Sequence, residues 1–162
     1  MYFSVMSLTR FHEAQSSQWD GYMTALAEMR AGRKSSHWIW YVFPQIDGLG
    51  RSSTARQYAL RDLDEACEYL RDPLLHSRYE EIAGAVAEHL ARGAPVEDLM
   101  GGLTDASKLV SSVTLFRAAA ERLSKGDGDF MRLAKCCHAI LEWTTAHGHP
   151  PCAFTLARCA MS

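Results

Sequence analysis

The stretch of this 162-residue chain with the most chemical potential is residues 32–53, GRKSSHWIWYVFPQIDGLGRSS. Large aromatic residues stand there beside four polar residues, which are Lys34, Ser36, His37 and Gln45. Aromatic faces can stack on a planar ring, and a histidine can transfer protons near neutral pH. A structural interpretation is equally open, in which the apolar residues fill the core and the glycines permit tight turns.

A second cluster lies in residues 105–116, DASKLVSSVTLF. On a helix, Asp105 and Lys108 share one face, and Ser111 and Ser112 follow Lys108 on that face. The pattern is typical of a solvated face with Asp105 as the N-cap. It is also typical of an anion site, because a lysine, hydroxyls and a helix N-terminus suit a phosphate or a carboxylate.

Arg10 and Gln15 form a third polar group in the first predicted helix. We expect the three segments to converge beside the tryptophans, with His37 as general acid or base and Asp105 orienting it or polarising water. The predicted catalytic residues are therefore His37 and Asp105. The predicted ligand-binding residues are Arg10, Gln15, Lys34, Ser36, Trp38, Trp40, Gln45, Lys108, Ser111 and Ser112.

This set favours binding of a small anionic metabolite, nucleotide-like or ADP-ribose-like, with hydrolysis at a glycosidic or phosphate bond as a further step. Two alternatives stay open. A non-enzymatic module would bind a protein or peptide through an exposed apolar patch of Trp19, Trp38 or Tyr41. In the second alternative, the residues of segment 32–53, which we call the signature segment, have a purely structural role. The sequence leaves open whether the protein is an enzyme.

Composition excludes several classes of protein. The formal net charge of −2 gives no basic excess for general nucleic-acid binding. No segment approaches the roughly 20 apolar residues that span a bilayer, and the apolar run of residues 1–9 lacks the basic start of a signal peptide. We therefore expect a cytoplasmic protein without a membrane partner. No dinucleotide, phosphate-loop or metalloprotease motif occurs, so no cofactor is predicted.

The five cysteines, an odd number, argue against a disulfide framework and favour buried, reduced thiols. A zinc site that recruits His138 and Cys152 is a weaker alternative, so no metal ligand is predicted.

Helical periodicity predicts an all-α fold, a single compact domain over residues 1–162 with about seven or eight helices around the aromatic-rich segment. The predicted helices cover residues 8–31 with a break near Ser16, then residues 62–71, 73–93, 95–100, 105–123, 130–146 and 153–160. Residues 37–43 could be a strand or a short buried helix. Because the helices are amphipathic, we expect a monomer.

The chain resembles an uncharacterised, mostly bacterial family known as domain of unknown function 1810, often mislabelled "calpastatin". The string SHWIWYVFPQIDGLG, from Ser36 to Gly50, carries most of the resemblance. Further matches occur at Arg10, Gln15, Glu28, Asp105 and Lys108. The resemblance implies an all-α single domain and brings no established activity, substrate or cofactor. One departure is Cys152, which stands where the family tends to carry an aspartate.

Overall fold

Apolar residues at helical spacing form the core-facing stripes of the helices. The structure, a computed structural model, describes residues 2–126 and 128–161, with side chains from residue 8 onward. Part of the apolar run 1–9 and Asp127, in the predicted break before residue 130, therefore lie outside the described residues. The helices are α1 (Tyr2–Gln15), α2 (Tyr22–Ala31), α3 (Ile39–Val42), α4 (Ser53–Tyr58), α5 (Leu63–Arg71), α6 (Pro73–Ala91), α7 (Val96–Met100), α8 (Leu103–Ser124), α9 (Met131–Ala146) and α10 (Ala153–Ala160).

The all-α prediction is confirmed, with differences in detail. The break after Gln15 and the short buried helix α3 occur as expected. Helix α4 is absent from the prediction because residues 53–58 bury no side chain completely and so leave no apolar stripe in the sequence. Its start is fixed locally, since the Ser52 hydroxyl accepts the Ala55 N–H at 3.1 Å.

Asp105 as the N-cap of α8 was wrong. The helix begins two residues earlier, at Leu103, and its N-cap is Gly102 with φ of 145°. Gly101, with φ of 78°, ends α7 directly before it. Two successive glycines with positive φ let the chain turn from one helix into the next, which frees the Asp105 carboxylate for another partner.

Carboxylate side chains cap helices α5 and α6. Asp62 accepts the Glu65 N–H at 2.9 Å, and the Glu65 carboxylate accepts the Arg61 N–H at 2.8 Å, a variant of the capping box. Asp72 accepts the N–H groups of Leu74 and Leu75 at 3.0 and 3.1 Å at the start of α6.

Helix α8 is the axis of the core. It packs against α5, α7, α9 and α10, and most of its residues between Ala106 and Leu123 are buried. Phe116 on α8 stacks on Tyr79 with ring centroids 4.1 Å apart and meets Tyr69 edge-on at 5.1 Å. Phe43 reaches Tyr79 at 5.4 Å, so the aromatic-rich segment is joined to this stack.

The last helix, α10, docks on the turn at Gly48, whose φ is 106°. A Cβ at this position would lie 2.8 Å from the Phe154 ring, so the turn needs a glycine both for its backbone angle and for this close approach. Arg158 lies over the Phe154 ring at 4.7 Å. Thr155 is the only buried residue of α10.

Within the described residues, none of the helices has both the length and the apolar character needed to cross a membrane.

Asp72→Ala should lower the free energy of unfolding by about 1–2 kcal/mol, because it removes an N-cap and the contact of Asp72 with His12 at 2.7 Å. Urea unfolding measures the change. Asp47→Ala, at an exposed loop position, is the matched control and should stay near the wild type. Equal losses in the two variants would contradict the capping role.

Candidate functional site

The aromatic-rich segment is held by the carboxylate of Glu28 on α2. One carboxylate oxygen accepts the N–H groups of Ser35 and Ser36 at 2.7 and 2.9 Å. The same oxygen accepts the indole N–H of Trp38 at 2.9 Å, and the other accepts the Ser36 hydroxyl at 2.5 Å. Because these donors span four residues, Glu28 sets the path of the chain that leads into α3.

These hydrogen bonds stabilise the ionised form of Glu28. Burial alone would raise the pKa of this carboxyl group, but the donors from Ser35, Ser36 and Trp38 together lower the pKa to about 2. Glu28 is therefore a carboxylate across the physiological range, with its acceptor sites occupied. That arrangement suits a structural role better than proton transfer.

Two lysines meet at Asp105. The Lys34 ammonium lies 2.7 Å from one carboxylate oxygen, and the Lys108 ammonium lies 3.6 Å from the other. Lys34 also donates to the Ser36 carbonyl at 2.5 Å, and only 6% of its side chain is exposed. Lys108 is 26% exposed and makes no hydrogen bond within the described residues, so it is the more available cation.

The two tryptophans of the segment differ in environment. Trp38 is fully buried, with the Lys34 ammonium 5.0 Å from its ring centroid. Trp40 is only partly buried, and the Lys108 ammonium lies 4.9 Å from its ring centroid. The side chains of Lys34, Trp38, Trp40, Asp105 and Lys108 therefore form one cluster, which we call the lysine–tryptophan cluster.

Arg10 lies at the far end of the same face. It donates to the Ala59 carbonyl at 2.8 Å and reaches Glu65 at 3.5 Å. Ala59 and Trp40 line a shared crevice together with Gln45. The crevice has a volume of about 10 Å³, room for about one water molecule, so it cannot take an aromatic ring.

Gln15 is part of a separate buried network. Its amide donates to the Tyr41 carbonyl at 2.8 Å and meets the Tyr69 hydroxyl at 3.0 Å. Arg78 donates to its oxygen at 3.3 Å. These bonds join α1 to α3, α5 and α6, and they occupy the polar atoms that a ligand would need.

The side chains of three further predicted residues do not meet at one site. His37 is exposed, and its imidazole has no hydrogen bond within the described residues, although its carbonyl accepts the Tyr41 hydroxyl at 3.1 Å. Ser112 is fully buried and shares a hydrogen bond of 3.0 Å with Tyr79. Ser111 donates to the Ser107 carbonyl at 3.0 Å and lines a different cavity.

The structure thus brings together Lys34, Ser36, Trp38, Trp40, Asp105 and Lys108, with Gln45 and Arg10 further along the surface. The apolar patch imagined for a peptide-binding module is reduced to Trp19, which is 81% exposed, because Trp38 and Tyr41 are buried. A cavity of about 580 Å³ opens beside the start of α8, between Arg33 and the acidic pair Glu97 and Asp98. None of the predicted site residues lines it.

A family model described as a protein of unknown function (DUF1810) matches residues 5–135. The chain belongs to this family. A solved structure, that of the conserved hypothetical protein Rv1873 from Mycobacterium tuberculosis, has 35% sequence identity and a TM-score of 0.79. The match covers 96% of this chain and 97% of that one. No match was found among curated proteins. The family model ends before the Cys152 segment, while the solved structure extends across it.

Sequence reasoning missed the role of Glu28. It matches the family pattern, yet nothing in its local spacing predicts a contact seven to ten residues away across a helix end. One signal was present: Gly32 follows α2 with φ of 91° and turns the chain back, and the Arg33 N–H bonds the Glu28 carbonyl at 3.1 Å. Because the chain reverses at Gly32, the N–H groups of the residues that follow come back to the last turn of α2, where Glu28 lies.

Glu28→Ala should lower the free energy of unfolding by about 2–4 kcal/mol, because three N–H donors would lose their acceptor. Glu28→Gln should cost less and should also change the pH dependence. Since the folded pKa is below the usual value of 4.5, the charge stabilises the fold fully above pH 4.5 and loses its effect as the pH falls toward 2.

Urea unfolding at several pH values checks this. The stability gap between wild type and Glu28→Gln should be largest at pH 7 and should shrink as the pH falls below about 4.5. Glu142→Gln, which alters an exposed carboxylate, is the control and should show a much smaller gap. A gap that is constant from pH 7 to pH 3 would contradict the role of the Glu28 charge.

Asp105→Asn should lower the free energy of unfolding by about 2–3 kcal/mol, because it leaves the nearly buried Lys34 ammonium without its counter-charge. Glu88→Gln is matched in chemistry but breaks an exposed pair with Arg92, and it should cost about 0.5 kcal/mol or less. Thermal and urea unfolding compare them. Similar losses would mean that burial of Lys34 has no energetic weight.

Proposed function

We propose that the lysine–tryptophan cluster binds one anionic group of a small metabolite that also carries a planar ring. A nucleotide or an ADP-ribose-like molecule has this chemistry. The phosphate would pair with Lys108, and the ring would lie on the exposed face of Trp40.

The observation that carries the proposal is the state of Lys108. Its ammonium lies over the Trp40 ring, 3.6 Å from Asp105, without a hydrogen bond in the described residues. An ammonium has three donors, so a phosphate oxygen can bind without breaking a strong contact. Lys34, by contrast, already bonds Asp105 and the Ser36 carbonyl.

Charge limits the kind of ligand. The cluster itself has two lysines and one aspartate, and the Glu28 carboxylate, which binds Trp38, lies beside it. The region as a whole therefore has no large positive charge that would attract a polyanion. Binding would therefore depend on a local contact to Lys108 combined with stacking. This favours one small anion over a nucleic acid, and it favours modest affinity, because the cluster is an open face with only a narrow crevice beside it.

Hydrolysis by His37 and Asp105 stays a prediction. Asp105 is engaged by two lysines, so its support for catalysis would be to hold Lys108 over Trp40. The exposed His37 imidazole is free to approach a ligand on this face. We expect the protein to act as a cytoplasmic monomer.

A thermal-shift screen against adenosine monophosphate, ADP-ribose and ribose 5-phosphate tests the binding. Stabilisation by the first two should be lost in Lys108→Ala and reduced in Trp40→Leu, with Kd rising about tenfold or more for the lysine variant because a charge-assisted contact is removed. Ribose 5-phosphate, which has no aromatic ring, should bind more weakly and should respond to Lys108→Ala alone.

Lys135→Ala is the matched control, because Lys135 is exposed on α9 and its loss changes the net charge equally. Its binding should equal that of the wild type. Stabilisation that survives both Lys108→Ala and His37→Ala would contradict the proposed site. If Lys135→Ala also lost the stabilisation by ligand, the effect would come from the net charge of the protein and not from this site.

A further inference from the structure

The cysteines of this protein differ sharply in their surroundings. All five are free. Cys67 and Cys137 are buried, whereas Cys136, Cys152 and Cys159 are each partly exposed. The groups around each of these three sulfurs then influence how readily the thiol ionises.

Cys152 is placed by two helices. It is the N-cap residue of α10, and its backbone N–H donates to the Thr114 hydroxyl of α8 at 3.1 Å. Its thiol lies near the hydroxyls of Ser111 and Thr155 and near the backbone N–H groups of Phe154 and Thr155. Donors thus reach the sulfur from both helices, as they do at thiols that are stabilised as thiolates.

The Thr155 hydroxyl is the second observation that points to this position. Its side chain is fully buried, and it has no hydrogen-bond partner in the described residues. It lies near the Cys152 sulfur, so its proton is available to a thiolate there. Ser111 can donate its one proton either to the Ser107 carbonyl, as it does at 3.0 Å, or to the sulfur.

These donors outweigh burial. Burial alone would raise the pKa of the Cys152 thiol, but the hydrogen bonds from Ser111, Thr155 and Phe154 lower it below the usual value. Burial raises the pKa of Cys136 to about 11, and it raises that of Cys159 as well. Cys152 is therefore the one partly exposed thiol in the described residues whose surroundings favour the thiolate.

A small molecule can reach this position. Cys152, Ser111 and His149 line a cavity of about 230 Å³ between α8 and the turn before α10. The imidazole of His149 is held by a hydrogen bond to Glu97, so the histidine that faces the cavity is fixed in place. The cavity is large enough for a molecule of a few non-hydrogen atoms and too small for a drug-sized ligand.

We propose that Cys152 is a modification site, at which a small hydroperoxide oxidises the thiolate inside this cavity to a sulfenic acid. The sulfur attacks the nearer peroxide oxygen, an S–O bond forms and the O–O bond breaks. The leaving hydroxide or alkoxide takes up a proton and departs as water or alcohol, so sulfur is oxidised by two electrons and the peroxide is reduced by two.

The product has no resolving partner on its own helix. Cys159 lies seven residues further along α10, about 10 Å at the rise of an α-helix, and a disulfide requires Cα atoms within about 7 Å. The sulfenic acid therefore awaits an external thiol, which makes the modification reversible.

Alkylation of the full chain with iodoacetamide, followed peptide by peptide by mass spectrometry, tests the thiolate. At pH 7 Cys152 should react at least about tenfold faster than Cys136. A pKa gap of two units or more changes the thiolate fraction about a hundredfold, and lower intrinsic nucleophilicity offsets about half of that on a logarithmic scale. Thr155→Val and Ser111→Ala should slow Cys152 and leave Cys136 unchanged.

Brief treatment with hydrogen peroxide or tert-butyl hydroperoxide in the presence of a 1,3-dione that traps sulfenic acids tests the oxidation. The trapped adduct should form on Cys152 and be absent from the Cys152→Ser variant, while Cys159→Ser should behave as the wild type. Equal alkylation rates at Cys152 and Cys136 would overturn the proposal. So would rapid alkylation without any trapped adduct, because the electrophile class would then be wrong.

Discussion

The carboxylate of Glu28 is the interaction on which the rest of the site depends. It binds donors from Ser35, Ser36 and Trp38, and so determines how the chain leaves α2 and enters α3. With this path fixed, the Trp38 ring enters the core and the Lys34 side chain runs beside it to Asp105. A carboxylate that accepts four internal hydrogen bonds thus orients both the buried Trp38 ring and an ion pair whose lysine is nearly buried.

The functional and structural interpretations of the signature segment turn out to describe different residues. Trp38, Gln15 and Ser112 are buried, and their polar atoms bond other parts of the fold. Trp40 and Lys108 remain accessible from solvent. A family pattern can therefore contain one set of residues that the fold requires and a smaller set that is available for binding, even where the two alternate along the chain.

Local patterns were sufficient for most of the helices, but not for α4, which has no buried side chain. Apolar spacing acts over a few residues, so it can be identified without tertiary information. The start of α8 and the partners of Lys34 could not, because they depend on a paired-glycine turn and on a carboxylate 71 positions away in sequence. Convergence of the three segments was expected from residue type alone. The structure joins Lys34 and Lys108 at Asp105, but it places Gln15 in a separate buried network.

Docking of α10 is linked to the ionisation of its N-cap residue, Cys152. The helix packs on α8, buries only Thr155 completely and rests on Gly48 through Phe154. Because the docked helix lowers the pKa of the Cys152 thiol below its usual value of 9.0, thermodynamic linkage requires that the thiolate favour docking. The C-terminal helix should therefore be held more tightly as the pH rises toward 9, and its amide protons should exchange more slowly there, relative to the intrinsic rates. Above pH 9 the raised pKa of Cys159 on the same helix opposes this effect.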